Sequence, residues 1–174
     1  MKMTHILTRV GALMAGAMLL ASCSTLDDST APSPAKETIA YSVGPCFGFC
    51  PVYSLEVTPS GHVTFVGERH TAVAGKMERE AGPAAYRAVA SALADYRPAD
   101  GTTAQTQCEQ ERTDHSSYGI IWTKPDGTRT VLSHDLGCIS PRNEALNKAL
   151  YAIPAQLGVA EWTQQKTETG ASRG

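Results

Sequence analysis

Apolar and polar side chains alternate on both sides of a turn signal between residues 52 and 66, and the same pattern returns between 118 and 134. In Val52 to Thr58, Tyr53, Leu55 and Val57 fall on one side of an extended chain and Ser54 and Glu56 on the other, which is the two-residue period of a half-buried strand. Pro59-Ser60-Gly61 interrupts this run and His62 to Val66 resumes it with Val63 and Phe65, so the segment predicts a hairpin. Farther on, Tyr118, Ile120 and Trp122 alternate with Gly119 and Ile121, Lys124-Pro125-Asp126-Gly127 turns the chain, and Thr128 to His134 returns. Proline presets φ and glycine accepts a positive one, which gives Pro-Asp-Gly its turn chemistry.

A helical period follows each hairpin. Gly82-Pro83 opens a segment in which Tyr86, Val89, Ala90, Leu93 and Tyr96 share a face, and Arg97-Pro98 closes it. Ser140 caps the second, with Pro141 at its first position and Leu146, Ala149, Leu150 and Ile153 on its apolar stripe; Pro154 ends or kinks it. The expected fold is α+β: an antiparallel sheet from two β-hairpins with two helices packed on one face, β-β-α repeated. The aromatic residues Tyr53, Phe65, Tyr118 and Trp122 are expected under the helices. Arg69, His70 and Arg79 read as surface charges. Ala99 to Ser116 shows little periodicity and reads as a long loop that carries Cys108.

Residues 1–22 read as a lipoprotein signal peptide: Lys2 and Arg9 make a positive start, and Val10 to Leu20 is apolar but too short to span a bilayer. Leu20-Ala21-Ser22-Cys23 resembles the lipobox of bacterial lipoproteins, which makes Cys23 the expected lipidation site and palmitate a component of the membrane anchor. Ser24 and Thr25 differ from the aspartate that retains such proteins in the inner membrane of enteric bacteria, so the resemblance implies an outer-membrane lipoprotein facing the periplasm. Residues 23–38 are rich in Ser, Thr, Asp, Pro and Ala and read as a flexible tether. A single domain is expected over 39–162, with a disordered tail over 163–174.

The formal charge is −2 and no basic stripe stands out, which argues against nucleic acid as a partner. No Gly-rich phosphate loop, serine elbow or paired-carboxylate spacing is present, and no cofactor is expected. Five cysteines become four once Cys23 carries lipid. An even number in an exported chain favours disulfides among Cys46, Cys50, Cys108 and Cys138, and four cysteines allow three pairings. Cys46 with Cys50 would close a small loop around Gly48, worth roughly 2 kcal/mol, and Cys108 with Cys138 would clamp the long loop to the second hairpin for roughly 3 to 4 kcal/mol. This pairing suits a register in which Thr123 faces Thr128 and His134 lies opposite about Ser117. Cross-pairing stays open.

Cys46-x-x-x-Cys50-Pro51 also permits a copper or thiol-redox site, with His62 or His70 as a third ligand. Against it, the pair leads into a strand and lacks a helix N-terminus to acidify a thiol. His115 and His134, with Asp114 and Asp135 beside them, are a further candidate for metal binding and hydrolysis, although their spacing matches no metal signature and strand-end histidines are usually solvated or bonded to backbone.

Gly44-Pro45-Cys46-x-Gly48-x-Cys50-Pro51-x-Tyr53-x-Leu55, with Gly61-x-Val63 and Phe65-x-Gly67, resembles the opening of a bacterial family known as a domain of unknown function, numbered 6438. Thr113-Asp114, His134 and Gly137-Cys138 are similar to its second half. The resemblance covers Ile39 to Trp162 and implies secreted or lipoprotein members, with no activity to carry over. The expected function is therefore a non-enzymatic binding or envelope-assembly module, held to the membrane by lipid and serving an envelope protein partner. A copper-binding or thiol-redox protein using Cys46 and Cys50 is the alternative, and a metal-dependent hydrolase the third reading.

Overall fold

The alternating runs form strands in the computed structural model, which describes residues 36–170. The leader, Cys23 and nearly all of the tether lie outside the described residues. The chain enters as β1 (Thr38–Val43) and continues through β2 (Val52–Val57), β3 (His62–Arg69) and β4 (Gly75–Glu80) into helix α1 (Pro83–Leu93). Then come the short strands β5 (Thr103–Gln105) and β6 (Gln110–Glu111), the hairpin β7 (Ser117–Thr123) and β8 (Arg129–Asp135), β9 (Cys138–Ile139) and helix α2 (Pro141–Gln156).

Seven strands make one sheet in the order β4-β3-β2-β1-β7-β8-β5, antiparallel except where β5 runs parallel to β8. The two predicted hairpins are β2-β3 and β7-β8, but a repeated β-β-α plan is not what joins them. β1 sits between them, antiparallel to both, with Tyr41 opposite Leu55 on one side and Ile120 on the other. Four strands thus precede α1. The predicted long loop also contributes β5, which joins the sheet edge, and β6, which pairs with β9.

Alternation puts Ile39, Tyr41, Leu55, Val57, Val63, Phe65, Ile120, Trp122 and Leu132 on one face, buried with Tyr86, Val89 and Leu93 of α1 and Leu146, Leu150 and Ile153 of α2. Both helices therefore cover the same face, as their apolar stripes require. The other face carries smaller and more polar residues, including Ala40, Ser42, Ser54, Thr64, Gly119 and Ser133, and it is only partly shielded. β4 has almost no buried side chain, as expected of a charged sheet edge.

A helix cap and several long-range contacts fix the ends. Ser140 accepts a hydrogen bond from the Asn143 backbone N–H at 3.1 Å, capping α2. Ser140→Ala is expected to cost about 1 kcal/mol, read as a drop of a few degrees in melting temperature; an unchanged midpoint would show that the cap contributes nothing. Pro154 does not stop α2, which runs on to Gln156. At the chain's arrival in β1, buried Glu37 receives Arg97 at 2.7 Å, and its carbonyl accepts the Tyr86 hydroxyl at 2.6 Å. Arg79 is engaged as well: it pairs with Glu161 at 2.8 Å and its guanidinium lies 4.7 Å from the centre of the Trp162 ring. Past Trp162 the chain stays on the domain, where Thr71 bridges Gln165 and the Lys166 N–H donates to the His70 carbonyl at 2.9 Å.

Candidate functional site

Both local disulfide pairings form: Cys46 with Cys50, and Cys108 with Cys138. The first closes the loop between β1 and β2. The Gly44 N–H donates to Ser117 O at 2.8 Å and the Phe47 N–H to Asp114 O at 3.3 Å, so this loop is laid against the segment leading into β7. Phe47 projects into solvent with 68% of its surface exposed. Phe49 instead meets the His70 ring edge-on at 5.4 Å. The second disulfide joins the segment just before β6 to β9, and the Asn143 side-chain amide at the start of α2 donates to Gln107 O at 2.8 Å.

The metal candidates do not assemble. With Cys46 and Cys50 joined, neither sulfur is a thiolate for Cu(I), and His62 is held by Glu80, Nδ1 to Oε1 at 2.6 Å, which raises its pKa. Among the described residues no three His, Cys, Asp or Glu side chains converge on a metal position. His134 differs most from expectation. β7 and β8 pair Thr123 with Arg129 and Tyr118 with His134, one residue away from the predicted register, and His134 lies on the helix-covered face with 1% exposure. Its Nε2 lies 2.5 Å from Asn147 Oδ1 and its Nδ1 2.9 Å from the Thr106 hydroxyl, so both ring nitrogens are engaged in hydrogen bonds within the protein. His115 and Asp114 stay exposed in the preceding loop.

What the structure does bring together is a set of hydroxyls. A cavity of about 330 Å³ opens between α2 and the end of the sheet where β1 finishes. Val43, Cys50, Pro51, Tyr53, Ser116 and Tyr118 line it from the sheet side; Tyr151, Pro154 and Ala155 of α2, with Ala160 and Thr163 beyond, line the other. Beneath it, Tyr41 stacks on Tyr118 with centroids 5.8 Å apart and planes 5° from parallel, and Tyr53 meets Tyr41 edge-on at 6.0 Å. The Tyr41 and Tyr53 hydroxyls satisfy one another at 3.1 Å. Burial pushes all three phenols above their ordinary pKa and keeps them protonated. A second cavity, about 410 Å³, lies beside Cys108, and Arg142 in its lining is drawn onto the Tyr96 ring at 5.1 Å and to the Asp95 carbonyl.

Sequence reasoning placed Tyr53 and Tyr118 in the core without seeing this cavity. The alternation points both side chains to the helix-covered face, but nothing local tells that α2 stops short of sealing the sheet end.

The chain is thus an α+β protein with a helix-covered, mostly antiparallel sheet, two disulfides and, beside the first of them, a cavity that no charged side chain lines among the described residues. It belongs to the family described as Domain of unknown function (DUF6438), whose family model matches residues 37–154 and so spans β1 through most of α2. A comparison with curated proteins finds no match.

Proposed function

We propose that this chain is an outer-membrane lipoprotein of the cell envelope whose periplasmic domain is a non-enzymatic binding module, anchored through lipid on Cys23. The observation that carries the reading is the pairing of all four cysteines of the described domain, a usage that suits an oxidising compartment. The cavity supports the binding half of the proposal. β1 starts beside the Glu37 clamp and ends at Val43 on the cavity wall, so the cavity lies at the end of β1 away from Glu37.

Fractionation of a Gram-negative host expressing the full chain tests the address. The wild type is expected in the outer-membrane fraction and to incorporate a palmitate analogue, and Cys23→Ala is expected to lose the label and appear in the soluble periplasm. A wild type that is already soluble, or a Cys23→Ala chain that stays with the membrane, would overturn the anchor.

A further inference from the structure

We propose that two copies of this chain associate edge to edge through β4, antiparallel about a two-fold axis at Met77, so that their sheets join into one. The association goes beyond the envelope reading and holds whether or not Cys23 carries lipid.

The edge is open to a second strand. β4 ends the sheet order, with β3 on one side and no strand on the other among the described residues. In an antiparallel ladder the backbone groups of successive residues turn to opposite sides. The Ala81 N–H donates to Gly61 O at 2.8 Å, extending the β3-β4 ladder, so Gly75, Met77 and Arg79 also turn their backbone toward β3. The N–H and C=O groups of Lys76, Glu78 and Glu80 therefore face the open side. Met77, the apolar residue of this strand, is 39% exposed.

Charge selects the occupant. Charged side chains usually guard an edge against foreign strands, but β4 carries both signs in an order that matches its own reverse. With the axis at Met77, Lys76 stands directly opposite Glu78 of the second copy, and Glu78 opposite its Lys76. These are hydrogen-bonded positions, and opposite charges across them are stabilising. The two Met77 side chains then meet at a non-hydrogen-bonded position, where antiparallel strands come closest. Other axes fail. One at Lys76, Glu78 or Glu80 sets a charge opposite its own copy, one at Arg79 sets Glu78 against Glu80 twice, and one at Gly75 overlaps only the first residues of the strand.

The neighbouring side chains suit this arrangement. Lys76 already pairs with Glu78 of its own strand at 2.6 Å, so association completes a square of four alternating charges. Arg79 is turned away onto the Trp162 ring and Glu161, and Glu80 is held by His62 at 2.6 Å. A contact between six-residue strands is small beside the roughly 1,600 Å² of a standard interface, which makes this a weak, concentration-dependent dimer.

Sedimentation of the Cys23→Ala full chain from about 10 μM to 1 mM is expected to show a monomer–dimer equilibrium. Lys76→Glu and Glu78→Lys, each alone, are expected to weaken it about 5- to 10-fold, and the two together to restore it, with little change in melting temperature. Met77→Cys is expected to form a disulfide between copies on mild oxidation, since its Cα atoms would stand about 4.5 Å apart. Glu80→Cys is the control, because in this register it lies about 20 Å from its counterpart.

A chain that stays monomeric throughout, a dimer that neither charge variant weakens or that the double exchange fails to restore, or cross-linking at Glu80→Cys equal to that at Met77→Cys overturns the proposal. If Met77→Cys in cells cross-links a different protein and not a second copy, the edge belongs to that partner and self-association is wrong.

Discussion

Replacing Gly61 by alanine is expected to lower the stability of the domain by about 2 to 5 kcal/mol, combining the cost of a left-handed backbone with that of forced overpacking. Gly61 sits in the turn between β2 and β3 at φ +87°, and a Cβ there would lie 2.1 Å from both the carbonyl carbon and the carbonyl oxygen of Gly82. The obstacle is backbone, so no rotamer change relieves it. The approach is held by a hydrogen bond from the Ala81 N–H to Gly61 O at 2.8 Å, which locks the β2-β3 turn to the junction of β4 and α1. For a domain of this size that loss is a fall of roughly 10 °C or more in melting temperature. Gly127 is the matched control: its φ is +85°, but a Cβ there meets nothing within 4 Å. Gly127→Ala is therefore expected to cost only the conformational part. If the two variants melt together, the close approach contributes nothing.

The Cys108–Cys138 bridge is expected to matter nearly as much. It spans 30 residues of sequence, against 4 for Cys46–Cys50, and loop-closure entropy gives roughly 3 to 4 kcal/mol for the first and roughly 2 for the second. Replacing both members of the larger bridge with alanine is expected to lower the melting temperature by about 10 °C, and removal of the smaller bridge by about half that. The segment it holds, β5 and β6 with the residues between them, has no buried apolar side chain of its own. Hydrogen exchange in the double variant is expected to rise first at β6 and β9. A larger loss from the Cys46–Cys50 pair, or no faster exchange around β6, would show that the second bridge does not clamp this segment.

The elements that can be read from sequence are those whose pattern is carried by their own side chains. β2, β3, β7 and β8 alternate, α1 and α2 keep one apolar stripe, and Ser140 caps where its residue type predicts. β1 alternates just as clearly, with Ile39, Tyr41 and Val43 buried, yet its central place between the hairpins has no local signature. β4 gives no pattern, because Gly75-Lys76-Met77-Glu78-Arg79-Glu80 lies at a solvated edge and forms by completing the β3 ladder. β5 is three residues long and extended because β8 offers it hydrogen bonds.

The candidate site was legible to the same degree. Cysteine spacing identified the loop at Cys46–Cys50, and alternation turned Tyr53 and Tyr118 inward. His134 could not be placed, because one residue of register moves a strand side chain from one face to the other. The cavity draws on residues from Val43 to Thr163, and the convergence of Ser116, Tyr118 and Tyr151 appears only when α2 crosses the end of the sheet.

By itself, then, the sequence determined the α+β class, the two hairpins, both helices and the inward face of each, since backbone period and turn chemistry act over a few residues. Strand order, the choice of cysteine partners, the burial of His134 and the hydroxyl-lined cavity were decided by the tertiary structure alone. Each depends on which distant segments pair and how tightly they close-pack, and those energies belong to contacts that no short stretch of sequence contains.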